Sequence, residues 1–192
     1  MKYFALVLAG LLACSGSGFS GLAWASEPAL EGAKDIVLHT RDGKNIAIGT
    51  VTFAPKGEEA AFAIAFDDKK FAEYFLSMRE FKCVEGEDVL CHVPYPYANP
   101  RTVSPKDLGW LEHALLFIFK TPTEYGARMG NGLIYSLKIT DKGLVGTPQS
   151  IDLDEIAMPP DDLSTAYYNA DRRYDLQPGA RWVESLTIEN HR

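Results

Sequence analysis

Apolar and polar positions alternate with a period of two over much of the chain, which predicts half-buried strands. The clearest case is "AFAIAF" (61–66), where Phe62, Ile64 and Phe66 share one face and alanines occupy the other. Alanine on that second face predicts a close cover or a narrow interior. In "DIVLHTRDGKNIAIGTVTF" (35–53), Asp42-Gly43 stands between two apolar runs, a strong hairpin cue. The alternation drifts at Gly49, which predicts a bulge or bend. "NGLIYSLKITDKGLVGTPQSIDLD" (131–154) predicts a second hairpin. Leu133, Tyr135, Leu137 and Ile139 face one way. Asp141-Lys142-Gly143 fits a three-residue loop, and Val145, Ile151 and Leu153 continue the apolar face. Pro148 cannot donate to a ladder, so its strand is expected at an edge. "RWVESLTIE" (181–189) predicts a last strand.

Two segments carry helical spacing. In "DKKFAEYFLSM" (68–78), Phe71, Tyr74, Phe75 and Met78 fall at i, i+3, i+4 and i+7. "SPKDLGWLEHALLFIFK" (104–120) opens with Ser104 as cap and Pro105 at the first helical position, and Leu108, Leu111, Leu115 and Ile118 form its buried line. The expected fold is α+β: a mainly antiparallel sheet or small partly closed barrel of about seven or eight strands with two helices. Residues 35–192 form one domain in this reading, after a loose arm at 26–34. The polar, Pro-containing stretch 155–180 either wraps that domain or moves freely.

The first residues change the setting. "MKYFALVLAGLLACSGSGFSGLAWA" has a basic start, an apolar run and small residues at 23 and 25, the pattern of a secretory signal peptide cleaved after Ala25. Its apolar run is too short to span a bilayer, so no transmembrane segment is expected. Leu11-Leu12-Ala13-Cys14 also resembles a lipobox, and a lipid anchor on Cys14 is the competing reading. Cleavage after Ala25 leaves two cysteines, Cys83 and Cys91. An even count in an oxidising compartment reads as a disulfide. A redox pair usually has C-x-x-C spacing, and a structural zinc site needs four ligands. In "FKCVEGEDVLCHV" (81–93), a hairpin centred on Glu87 sets Cys83 opposite Cys91, on the face of Phe81, Val89 and Val93.

Composition narrows the partners. The hydrophobic content of 46% is that of a globular protein. Loss of Lys2 with the leader leaves 18 basic against 26 acidic residues. That balance argues against nucleic acid and against electrostatic adhesion to anionic lipid. No G-x-S-x-G, H-E-x-x-H or phosphate loop occurs, and "GARMGNG" (126–132) lacks the strand and helix such a loop needs. The four histidines (His39, His92, His113, His191) read as structural or surface groups, with His92 on the outward face of the stapled hairpin. The acidic cluster "DLDEIAMPPDD" (152–162) lacks the calcium-loop pattern and reads as a solvated strand end. No catalytic residue, metal ligand or cofactor is assigned.

"HVPYPYANPR" (92–101) is the candidate recognition surface. Its prolines hold the segment extended. Tyr95 and Tyr97 project the same way from such a backbone, His92 stands at the margin, and Arg101 brings a guanidinium. Rigid aromatics beside a cation suit a sugar, a peptide or an anionic group; the competing role is packing of the tyrosines onto the sheet. "FLSMREFKC", "LCHVPYPY", "TEYG" and "NGLIYSL" together resemble the core of a group of small secreted Gram-negative bacterial proteins, over roughly residues 75–158. That resemblance implies a bacterial envelope setting and assigns no residue a role. Two classes of function follow. The first is a non-enzymatic envelope module binding a small ligand, a glycan or a protein partner through residues near 92–101. The second is a small periplasmic hydrolase with a dispersed active site.

Overall fold

The computed structural model describes residues 28–76 and 80–191. The leader and Cys14, and with them Met78, lie outside the described residues. In chain order the strands are β1 (Gly32–Thr40), β2 (Asn45–Lys56), β3 (Glu59–Phe66), β4 (Ala72–Phe75), β5 (Glu80–Glu85), β6 (Val89–His92) and β7 (Thr102–Val103). The helix α1 (Gly109–Ala114) precedes β8 (Phe117–Lys120), β9 (Gly132–Thr140), β10 (Gly143–Ile151), β11 (Tyr174–Asp175) and β12 (Val183–Asn190). Among the described residues all the pairings are antiparallel, and they join one sheet of 12 strands in the order β4-β5-β6-β8-β9-β10-β12-β1-β2-β3-β7, with β11 beside β10. The protein is therefore sheet-dominated, with more strands than the expected seven or eight, and not a two-helix α+β fold.

Both expected helices are corrected. "DKKFAEYF" forms a single tight turn at Asp68–Lys70 and then β4. Pairing with β5 imposes a period of two, so Ala72 and Tyr74 turn inward while Phe75 is 73% exposed. The stretch 104–120 holds only the short helix α1. Ser104 and Asp107 close a turn before it, and Asp107 Oδ1 accepts the Gly109 N–H at 2.9 Å. Leu115 to Ile118 are buried without interruption, and the aromatic and β-branched residues of β8 occupy the middle of the sheet. A run buried on both faces carries no periodicity with which to tell helix from strand.

The hairpins follow the sequence more closely. β1 and β2 turn at Asp42-Gly43, and the register slips between Ile36 and Val37, opposite Ile48. Gly49 sits beside that bulge, where a Cβ would lie 2.4 Å from the Ala65 carbonyl oxygen. β9 and β10 are joined by the two-residue turn Asp141-Lys142, because Thr140 pairs with Gly143. Leu133, Tyr135 and Leu137 enter the main core, whereas Val145 faces outward and Leu144 faces inward. β10 is not an edge strand. Its outer side pairs with β12 at Leu144–Gly146 and with β11 at Gln149–Ser150, and Pro148 falls in the gap between these partners. The alanines Ala61, Ala63 and Ala65 are exposed, not covered. β1 begins at Gly32, so Gly32–Lys34, assigned to the arm, belong to the sheet. Lys34 is buried there and donates to Asn190 Oδ1 at 2.6 Å.

Cys83 and Cys91 stand opposite one another in β5 and β6 and are disulfide-bonded, both fully buried. They share an apolar cluster with Phe81, Val89 and Val93, while Val84 and Leu90 face the main core. The hairpin thus separates two cores. The main one lies between β1–β3 with β12 and β5–β9. The second is covered by the segment following β10, through Leu153, Ile156 and Tyr168. Residues 155–180 therefore wrap the sheet. Their anchor is polar: Arg173 donates to the Tyr168 carbonyl at 2.7 Å and to Glu112 Oε2 at 2.6 Å, and Glu112 Oε1 accepts the Leu137 N–H at 2.7 Å.

Candidate ligand-binding site

The chain leaves β6 at His92 and crosses to β7, which pairs with β3 at the other end of the strand order. The crossing segment is the Pro-Tyr-Pro-Tyr run, extended because its prolines fix φ. A cleft of about 330 Å³ lies between it and β3. Phe62, Ile64 and Phe66 form one wall; Pro94, Tyr95, Tyr97, Asn99 and Arg101 form the other, with His92 and Ala114 completing the lining. The structure therefore brings His92, Tyr95, Tyr97 and Arg101 around one space. That volume falls in the lower range of small-molecule sites.

Each of the four is positioned by a separate contact. Tyr95 and Tyr97 are half-buried, their rings edge-to-face at 5.6 Å. Tyr95 also packs against Trp110 and His113, at 6.3 and 5.2 Å between ring centroids. Burial, with the neighbouring Tyr97 and Tyr167, pushes its phenol above the ordinary range. Tyr97 donates its hydroxyl to the Ile156 carbonyl at 2.8 Å. The tyrosines thus pack the loop onto the cores and line the cleft at once.

His92 does not face outward. Its ring rests 4.5 Å from Phe66 and 5.8 Å from Phe117. Nε2 lies 3.1 Å from the Ala114 carbonyl and must donate to it, which leaves Nδ1 as an acceptor. Burial pushes this imidazole below its ordinary pKa, against the opposing pull of the Ala114 carbonyl, so the neutral form is favoured.

Arg101 has φ of 56°, the left-handed region, unlike any other non-glycine among the described residues. Asn99 holds it there by accepting the Arg101 N–H on Oδ1 at 2.8 Å, while its own amide donates to the Trp110 carbonyl at 2.9 Å. The Arg101 carbonyl accepts the Phe62 N–H at 2.8 Å. Its side chain is exposed, and among the described residues no carboxylate pairs with it.

Sequence reasoning missed Asn99 and the β3 wall. The Asn-Pro dipeptide at 99–100 is a turn signal that could have pointed to Asn99. Nothing local ties Phe62, Ile64 and Phe66 to residues 92–101, because the curl of the sheet makes that contact. A wider depression, about 690 Å³, lies over Glu112, Lys138 and Arg173. Its deepest charges, Glu112 and Arg173, are already satisfied by each other. The wider depression keeps Lys106 and Lys138 without an ion pair among the described residues, but only the smaller cleft sets such a cation, Arg101, beside facing aromatic walls, and it is the better candidate. No family model, curated relative or solved structure matches the chain significantly.

Proposed function

We propose that the protein is an exported, non-enzymatic binding module of the bacterial envelope whose cleft between β3 and residues 92–101 takes a small ligand, a glycan or a segment of a protein partner. The observation that carries this reading is the unpaired Arg101 guanidinium at the mouth of an aromatic cleft. Apolar walls supply contact area and a cation fixes orientation, the usual division of labour in a ligand site. Among the described residues the lining includes no Asp, Glu, Ser, Thr or Cys to work with His92. Both ring nitrogens of His39 are engaged, by Asn45 and Thr187, neither of which is a carboxylate. The geometry thus favours binding over the hydrolase reading. The buried disulfide fits an oxidising compartment, and the leader is read as cleaved after Ala25.

The test is an NMR titration of the ¹⁵N-labelled protein with free amino acids, short peptides, soluble glycans and small aromatic acids. Shifts clustered at His92, Tyr95, Tyr97, Asn99 and Arg101, lost on Arg101→Asn for an anionic probe, support the reading. Saturable shifts confined to other surfaces would refute it.

A further inference from the structure

The pairing of β3 with β7 stops at Ala60 and Ala61. One further bond, Phe62 N–H to the Arg101 carbonyl, continues that edge. There the left-handed backbone of Arg101 takes the chain away, toward Asn99 and the tyrosines. Hydrogen-bonding direction alternates along a strand, so Ile64 and Phe66 aim their main-chain groups to the same side as Phe62. Asp67 confirms the phase, since its N–H bonds to Ile48 on the β2 side. Among the described residues no main-chain partner meets Ile64 or Phe66 on that side, so they present an open sheet edge to the cleft that they line.

We propose that this edge accepts an extended peptide as an added strand, with the peptide's free C-terminal carboxylate bound by Arg101. The proposal rests on the cleft reading above and names its ligand class. Strand polarity fixes the orientation. A guest antiparallel to β3 runs as β7 does, from beside Phe66 toward Phe62, so its last residue arrives at Arg101. A parallel guest would bring its N-terminal ammonium to the same guanidinium, which repels it. From Phe62 to Phe66 the edge is about 13 Å long at the usual strand rise, room for a three- or four-residue end. Guest side chains on the inner face meet Tyr95 and Tyr97, and alternate ones project beside the exposed Ala63 and Ala65. Main-chain bonds then give affinity, and the aromatic wall with the cation gives selectivity.

The probes are N-acetylated tetrapeptides with Phe or Leu at alternate positions, each made as free acid and as C-terminal amide, titrated into the ¹⁵N-labelled protein. We expect the acids to bind at least tenfold more tightly than the amides and to shift the Ile64 and Phe66 amide signals. Arg101→Asn keeps a residue that tolerates the left-handed backbone and removes the charge; it should abolish the acid–amide difference while leaving the rest of the spectrum unchanged. Arg101→Lys should retain part of it. Equal binding of acid and amide, or shifts at Tyr95 and Tyr97 with none at Ile64 and Phe66, would overturn strand addition. Response to a glycan or an aromatic acid but to no peptide would also overturn it and leave the cleft reading standing. Silence of the cleft residues toward every probe class would remove both.

Discussion

Tyr168 donates its main-chain N–H to Nε2 of His113 at 2.9 Å. On the other side of the ring, Nδ1 donates to the Gly109 carbonyl at 2.7 Å. Both nitrogens are committed, and the arrangement exists only for the neutral tautomer, since a protonated Nε2 could not accept. This imidazole pins the wrapping segment to α1, and burial is the main force holding its pKa at about 4.

The pH dependence follows in sign and window. A histidine protonates more readily unfolded, near 6.5, than folded, near 4. Stability is therefore full above about pH 6.5 and falls as pH drops toward 4, by roughly 2–4 kcal/mol in all. His92, also held below its ordinary range, adds a loss of the same sign. Urea midpoints measured from pH 7.5 to 4 should decline through this window, and His113→Ala should be less stable at pH 7.5 with a flatter slope. A wild-type midpoint that does not change between pH 6.5 and 4.5 would contradict the assignment.

The Cys83–Cys91 bond closes a short loop inside a hairpin whose two faces are both buried. Loop-closure entropy puts its contribution at about 2–3 kcal/mol. Cys83→Ala/Cys91→Ala should lower the unfolding free energy by that much or somewhat more, because Ala also leaves the buried cluster less well filled. Urea denaturation with and without reductant checks it; wild-type unfolding that ignores reductant present throughout would argue against a stabilising bond.

Gly86 lies against the indole of Trp182, and a Cβ there would stand 2.1 Å from the ring. The Trp182 N–H is held at 3.1 Å by Asp88 Oδ2, and its indole N–H at 3.0 Å by Asp42 Oδ1. The ring has little freedom to yield. Gly86→Ala should cost about 1–3 kcal/mol, the usual penalty of overpacking, and should change the tryptophan fluorescence of the folded protein. A neutral substitution would show that the hairpin tip moves away from Trp182 at little cost.

What the sequence disclosed depended on how local each feature is. The disulfide was legible because two cysteines on matching positions of one hairpin need no distant information. β4 was not, because Phe71, Tyr74 and Phe75 fit a helical stripe, and only pairing with β5 turns Phe75 to solvent. β8 was hidden by burial on both faces. Of the cleft, the half made of residues 92–101 was visible in its prolines and aromatics. The half made of β3 was not, since the two meet only when the sheet curls. The left-handed turn at Arg101 arises from Asn99 and from the Phe62 edge, and no residue preference at position 101 announces it.

Glu112 and Arg173 form an ion pair whose side chains are less than a tenth exposed. It ties α1 and β9 to the segment that covers the second core. Removing one partner leaves the other charge buried and uncompensated, so Arg173→Ala should cost about 3–5 kcal/mol. Replacing both, as Glu112→Leu/Arg173→Met, should cost clearly less than the sum of the single changes. A double-mutant cycle from urea unfolding measures that coupling. Additive single effects would mean that the charges do not act as a pair.

Tyr97 separates the two roles of the aromatic wall. Its hydroxyl reaches back to the Ile156 carbonyl at 2.8 Å, while its ring faces Tyr95 across the cleft lining. Tyr97→Phe removes only the first of these. The Ile156 carbonyl sits beside the pocket formed by Val93, Pro96 and Leu153, so losing its donor should cost about 0.5–1.5 kcal/mol. The ring remains available to a ligand, and affinity for a peptide acid that binds the wild type should stay within about twofold. Tyr97→Ala removes both, so it should lower stability further and weaken the same peptide at least tenfold, a stacking loss of the size aromatic contacts reach. The comparison needs a thermal midpoint and one titration on each variant. If Tyr97→Phe weakens the peptide as much as Tyr97→Ala does, the phenol itself is the recognition element, and the proposed contact through the ring is wrong.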